Sequence, residues 1–231
     1  MGGEVAAGLL DAVRTGLAAA GDPARAAGQQ RYMKSTVPYY GVRSPELARL
    51  CRGLFAEHLL PDRGSWETAV RILWDEAKFR EERYAAIALT GYRAYASYQD
   101  AATVPLYEHM IVTGAWWDYV DDLAIRRVGP ILRSDPSTVA PRLRAWSTDD
   151  DIWRRRTSII AQIQAKAETD LDLLADCLAP NLGHREFFVR KAIGWALREY
   201  AKTDPVWVRR YLADHGDQIS SLSRREAAKH L

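Results

Sequence analysis

The stretch Glu186-Phe187-Phe188-Val189-Arg190-Lys191-Ala192-Ile193-Gly194-Trp195-Ala196-Leu197-Arg198-Glu199-Tyr200-Ala201-Lys202 contains no proline and is rich in good helix formers. At about 100° per residue, Val189, Ile193, Ala196, Leu197 and Tyr200 fall on one side as a core stripe. Trp195 lies roughly opposite, in line with Phe187, Lys191, Arg198 and Lys202. A large aromatic among three cations has two readings. Either a neighbouring repeat or terminal segment covers it, or it belongs to a nucleic-acid surface, where cations take phosphates and an aromatic meets a base or sugar.

The rest of the chain repeats this texture. Segments dominated by Ala, Leu, Arg and Glu predominate, and no Asn-Gly or Asp-Gly turn joins two β-branched runs, so the chain reads as all-α. Breakers recur at Gly21-Asp22-Pro23, Pro61-Asp62-Arg63-Gly64, Thr113-Gly114, Gly129-Pro130, Ser134-Asp135-Pro136, Pro180-Asn181-Leu182-Gly183 and Asp204-Pro205. The helices between them pair up. The second members, over 80–92, 116–128, 151–167 and 186–202, start roughly 35 residues apart, inside the range of helical solenoid repeats. Tyr84-Ala85-Ala86-Ile87, Arg156-Thr157-Ser158-Ile159 and Arg190-Lys191-Ala192-Ile193 each set a large side chain three positions before an isoleucine. The expected architecture is one domain over residues 1–231, a HEAT-like solenoid with a concave face, because each two-helix unit needs neighbours to bury its apolar side. A generic helical bundle is the alternative.

Composition removes several classes. With 48% hydrophobic and 27% charged residues, 231 residues are enough for a sizeable core. Thirty-two Lys and Arg against thirty Asp and Glu leave +2, so no overall cationic field points to nucleic acid, and any DNA-binding charge must be local. Cys51 and Cys177 have no partner spacing, and His58, His109, His184, His215 and His230 are scattered, which argues against a disulfide framework or a zinc site and for surface histidines. Glu4 and Asp11 interrupt the apolar N-terminal stretch, which reads as neither signal peptide nor membrane span. A reducing cytosol fits.

Two further residues sit oddly. Ile160, Ile163 and Ala167 follow Arg156 at i+4, i+7 and i+11, placing a guanidinium within an apolar stripe, where it needs an anion. An Asp from the adjacent helix is one candidate and a phosphate the other. In Ala115-Trp116-Trp117-Asp118-Tyr119-Val120-Asp121-Asp122-Leu123, Trp116, Val120 and Leu123 form the core stripe while Trp117 and Asp121 share an adjoining face. Asp149, Asp150 and Asp151 read as N-cap and first-turn residues. Stacking would bring the equivalent faces of these three repeats together.

Asp121 is the obvious candidate for a reactive group, since no nucleophile motif or glycine-rich phosphate loop accompanies it. One carboxylate among tryptophans suits a reaction that builds positive charge on a sugar carbon, where it stabilises an oxocarbenium-like centre and orients or deprotonates water. A second carboxylate is unnecessary if the leaving group is already cationic, as an alkylated purine is, and tryptophan faces favour a cation.

From Tyr32-Met33-Lys34, Val37-Pro38-Tyr39-Tyr40-Gly41-Val42 and Pro45-Glu46, through Trp116 to Asp121 and Trp153-Arg154-Arg155-Arg156, to the block over 186–202, the chain resembles the AlkD-like DNA glycosylases, helical-repeat proteins of alkylation repair. The resemblance implies removal of cationic N3- and N7-alkylpurines from duplex DNA without base flipping, with some relatives acting on bulky adducts as self-resistance enzymes. By motif, it makes Asp121 the catalytic carboxylate, Trp117 and Trp195 the aromatic contacts to the lesion deoxyribose, Arg156 a DNA-backbone contact and Tyr32 a further active-site aromatic. Lys34, Lys191, Arg198 and Lys202 join the expected DNA-binding set. Two features depart from the family pattern: Arg154 and Arg155 precede Arg156, and Tyr39-Tyr40 replaces a Phe-containing pair.

The expectation is a monomeric bacterial, cytoplasmic enzyme, nucleoid-associated when bound to DNA. It hydrolyses the N-glycosidic bond without metal, cofactor or Schiff base and leaves an abasic site. A non-catalytic repeat protein that binds damaged DNA or a protein partner is the alternative.

Overall fold

The computed structural model describes residues 2–231, with side chains from residue 5 onward. The described residues form helices and turns with no strand. Packing divides the chain into two compact units, Met1–Tyr98 and Gln99–Leu231.

The first unit contains α1 (Gly2–Ala19), α2 (Pro23–Met33), α3 (Ser44–Glu57), α4 (Arg63–Asp75) and α5 (Arg80–Thr90). Its core is Leu9, Val13 and Leu17 of α1, Cys51 and Phe55 of α3, Trp66, Val70, Leu73 and Trp74 of α4, and Ala85, Ala86 and Leu89 of α5. Both predicted breaks hold here for the same reason: Asp22 and Asp62 cap the helices that follow them, accepting from Ala24 and Arg25 and from Ser65. Helix α2 has little apolar face and buries only Met33. The loop after it is fixed from below by the buried Glu81 carboxylate, which accepts the backbone N–H groups of Tyr40 (3.0 Å), Gly41 (2.8 Å) and Val42 (3.1 Å). A buried carboxylate is retained because three donors replace its lost water.

The second unit contains α6 (Val104–Gly114), α7 (Trp117–Leu123), α8 (Gly129–Ser134), α9 (Pro136–Trp146), α10 (Ile152–Ile160), α11 (Leu171–Leu178), α12 (Phe187–Ala201), α13 (Pro205–Asp214) and α14 (Ser221–Ala227). Helices α7, α10, α12 and α14 lie side by side in that order, each packed on the next, and α9 packs on α11 behind them. They begin at residues 117, 152, 187 and 221, so the helical repeat expected from sequence is present. Ile159, Ile160, Val189, Ile193 and Leu197 are all essentially excluded from water in the core that these helices share.

Two boundaries differ from expectation. Gly129-Pro130 does not break the chain. Residues Ala124–Val128 form a π turn, with the Gly129 N–H donating to the Ala124 carbonyl, and α8 continues directly. Pro130 has no N–H for the Arg126 carbonyl, which accepts from Arg127 Nη1 instead (2.9 Å). Residue 129 must be glycine, because a methyl group there would collide with the Ala161 carbonyl. The helix expected over 151–167 ends at Ile160 instead. Gln162 turns back to bond both backbone groups of Asp170, donating to its carbonyl (3.0 Å) and accepting from its N–H (2.8 Å). Lys166 enters the left-handed region at φ 53°, and Ala167 is exposed, not in the stripe.

Candidate active site

Asp151 opens α10 by accepting from the N–H groups of Trp153 and Arg154, as its N-cap reading required. One turn on, Arg156 points into the packing and is 5% exposed. Its anion is Asp121 of α7. Arg156 Nε donates to Asp121 Oδ1 at 2.7 Å and Nη2 to Oδ2 at 2.8 Å, while Nη1 donates to the Phe188 carbonyl at 2.6 Å. Every nitrogen of the guanidinium therefore has an acceptor. The Trp195 ring of α12 lies 6.0 Å from the guanidinium carbon, so an indole face covers the cation that holds the acid.

Burial is the main influence on Asp121 and pushes its pKa above the ordinary aspartate value; the hydrogen bond and charge of Arg156 oppose this, and the neighbouring Asp118 and Asp122 reinforce it. Trp117, half-buried, stands one turn before Asp121 on the same helix. Behind the pair, Trp116 meets Phe188 edge-on at 5.5 Å and Trp153 at 6.4 Å, and Phe188 meets Trp153 at 5.1 Å. This aromatic wall was invisible in the sequence as a unit. It comes from three helices, and the Phe188 contribution to Arg156 is a backbone carbonyl, which no residue pattern encodes.

The two extra arginines face other work. Arg154 pairs with Glu108 at 3.0 Å and with Asp149 at 3.1 Å. Arg155 clamps the turn before α10, donating to the carbonyls of Ser147, Thr148 and Asp149 and to Asn181 Oδ1. Neither is bonded to Asp121. In the first unit, the second departure is also accommodated. Tyr39 shares a hydrogen bond with the Tyr84 hydroxyl (3.1 Å), and Tyr40 stacks on Phe79 at 3.8 Å and donates to Glu82 (3.3 Å).

The remaining expected residues divide. Tyr32, 78% exposed, lies in the last turn of α2, and the exposed Lys34 caps that helix in the left-handed region; both belong to the first unit. Lys191, Arg198 and Lys202 each pair with a carboxylate. Lys191 pairs with Glu226 of α14 (3.1 Å), Arg198 pairs with both Glu226 and Glu199, and Lys202 pairs with Glu199 (2.6 Å). Glu226 reaches Lys191 and Arg198 because α14 packs directly on α12, whereas Glu199 belongs to α12 itself, next to Arg198 and three residues before Lys202. The repeat length itself was the missed signal: Asp121, Arg156, Lys191 and Glu226 are successive positions 35 residues apart, and both ion pairs join neighbours in that series.

No group of three or more His, Cys, Asp or Glu side chains among the described residues is arranged to hold a metal ion. Cys51 and Cys177 are free and buried. Four histidines are half-buried and His230 is exposed. No described helix is long and apolar enough to cross a membrane.

The family model described as DNA alkylation repair enzyme matches residues 13–231, and the chain belongs to that family. Among solved structures it is similar to one described as a predicted DNA alkylation repair enzyme from Enterococcus faecalis. The two share 28% identity with a TM-score of 0.74, over 91% of this chain and 96% of that one. No curated protein matches it.

Proposed function

We propose that the protein is a monofunctional DNA glycosylase that hydrolyses the N-glycosidic bond of cationic N3- or N7-alkylpurines in duplex DNA without flipping the base. The observation that carries this reading is the Asp121–Arg156 pair under the Trp195 ring. A carboxylate held in a partly dehydrated aromatic setting stabilises positive charge more strongly than one in water. As the C1′–N bond breaks, its electrons pass to the alkylpurine, which leaves neutral and needs no proton. Asp121 stabilises the oxocarbenium-like sugar and takes a proton from the water that adds to C1′, releasing it afterwards to solvent. Trp117 and Trp195 are assigned as the aromatic contacts to the lesion deoxyribose, where positive charge develops. Lys191, Arg198 and Lys202, with Tyr32 and Lys34 from the first unit, are assigned to the DNA, whereas Arg156, expected as a backbone contact, is buried with every guanidinium nitrogen bonded and holds Asp121 instead. In this reading the repeats are HEAT-like and the face formed by α7, α10, α12 and α14 meets the duplex.

The test is release of free base from duplex carrying 7-methylguanine or 3-methyladenine. Release well above spontaneous depurination, abolished by Asp121→Asn with duplex binding retained, is expected. No release from either lesion would sink the small-alkyl assignment and direct the assay to a bulky N3-adenine adduct. The satisfied ion pair is also what a non-catalytic, damage-binding repeat protein would contain; that reading predicts binding with no base release from any of the three substrates.

A further inference from the structure

Three cations converge on one carboxylate at the α12–α14 contact. Glu226 accepts from Lys191 Nζ at 3.1 Å, from Lys229 Nζ at 3.0 and 3.1 Å, and from Arg198 Nη1. The acceptor is hidden, at 7% exposure, whereas the Lys191 and Lys229 side chains remain 39% and 54% exposed. The donors can therefore reach an incoming anion without leaving the carboxylate's neighbourhood. Glu226 is also fixed by backbone rather than by a swinging side chain. A methyl group at Gly194 would stand 2.5 Å from Glu226 Cβ and 2.8 Å from the Ser223 carbonyl, so α14 sits directly on the bare backbone of α12.

We infer that Glu226 sets the affinity of this surface for DNA, acting as a resident anion that competes with backbone phosphate for Lys191, Arg198 and Lys229. The inference rests on the DNA-binding reading above and assigns that site an attenuating residue. The 35-residue series Asp121, Arg156, Lys191, Glu226 has the charge order acid, base, base, acid, so each central cation has an internal carboxylate as its first partner. Stability alone is a weak reason for such an acid, because a well-packed apolar side chain at a helix contact stabilises as well or better than a buried ion pair. A carboxylate there lowers the charge offered to phosphate by one. Observed DNA affinity scales with salt to a power of about −0.9 per phosphate neutralised, so one withheld contact weakens binding roughly eightfold at 0.1 M salt.

The experiment is equilibrium binding of an undamaged, fluorescently labelled duplex by the full chain across a salt series, with wild type, Glu226→Gln and Glu226→Gln combined with Lys191→Gln. Glu226→Gln is expected to bind roughly eightfold more tightly at 0.1 M salt with a salt slope steeper by about 0.9, and the double variant to return towards wild type. Wild type that binds while Glu226→Gln keeps the same slope overturns the role of Glu226 and leaves the DNA reading standing. Failure of both proteins to bind at any salt overturns both. If Glu226→Gln loses helicity by circular dichroism, Glu226→Met removes the same charge with a side chain of similar length and carries the same expectation. Loss of structure in both variants makes Glu226 a structural residue and overturns the proposal.

Discussion

Arg156 and Asp121 form a two-pronged ion pair across α10 and α7, Nε to Oδ1 at 2.7 Å and Nη2 to Oδ2 at 2.8 Å, with the third guanidinium nitrogen on the Phe188 carbonyl. One contact therefore joins three consecutive repeat helices. Arg156→Ala leaves a buried carboxylate and a backbone carbonyl without their donor, and is expected to destabilise the fold by about 3 kcal/mol in urea unfolding. Asp121→Asn keeps one acceptor oxygen and is expected to cost less than half as much. Equal losses would mean that a single amide oxygen does not replace the carboxylate as the acceptor for Arg156.

The same pair sets the pH dependence of base release. Asp121 works ionised, and burial places its pKa above the ordinary aspartate value despite Arg156. Single-turnover rates should fall on acidification through a pKa higher than that of a solvated aspartate. Removing Arg156 deletes the charge and hydrogen bond that favour the carboxylate, while burial and Asp118 and Asp122 still disfavour it, so in Arg156→Ala the acid limb moves to higher pH. A limb that moves to lower pH, or stays in place, would detach Asp121 from the rate.

Glu226 predicts a separate acid transition in stability. Burial works against its ionisation, but hydrogen bonds from Lys229 and Lys191 and the charges of Lys191 and Arg198 outweigh it and hold the carboxyl down at about 2. A carboxyl whose folded pKa is depressed stabilises the fold above its unfolded value and loses that contribution as pH falls towards the folded one. Thermal melts of wild type should therefore drop between about pH 4.5 and pH 2, and Glu226→Gln should show a shallower drop over that window.

Gly194→Ala tests the close approach of α14 to α12. The added methyl group meets Glu226 Cβ and the Ser223 carbonyl, so the two helices must separate, at a cost of about 1–3 kcal/mol. Hydrogen exchange should quicken in α14 more than in α10. Uniform quickening would mean that the contact is not local.

Cys51 and Cys177 are 1% and 0% exposed, and burial pushes each thiol up to about 12. Neither should react with Ellman's reagent in the native protein, and both should react at once in denaturant. A thiol that titrates rapidly under native conditions would show that its helix opens.

Periodicity and punctuation are local properties, and they were legible. The all-α class, the interval near 35 residues, the breaks at Asp22-Pro23 and Pro61-Asp62, the cap at Asp151 and the buried stripe of α12 all follow from apolar spacing, from breakers and from side chains that satisfy nearby backbone N–H groups. The helical wheel also marked Arg156 as a residue in need of an anion, but it left an aspartate and a phosphate equally open. Only the register between α7 and α10 chose Asp121 for the free protein. The wheel left the surroundings of Lys191 and Arg198 open because it describes one helix, and a repeat helix has neighbours on two flanks. Whether a cation meets solvent or a carboxylate depends on which residue of the next repeat lies opposite it. That is fixed by packing at Gly194, where the absence of a side chain lets Glu226 approach. Sequence alone thus determined the helices, their period and the residues too polar for where they lie. The tertiary structure decided the partner of each, because a buried or half-buried charge is stable only with a counter-charge within hydrogen-bond reach, and that reach is set between helices.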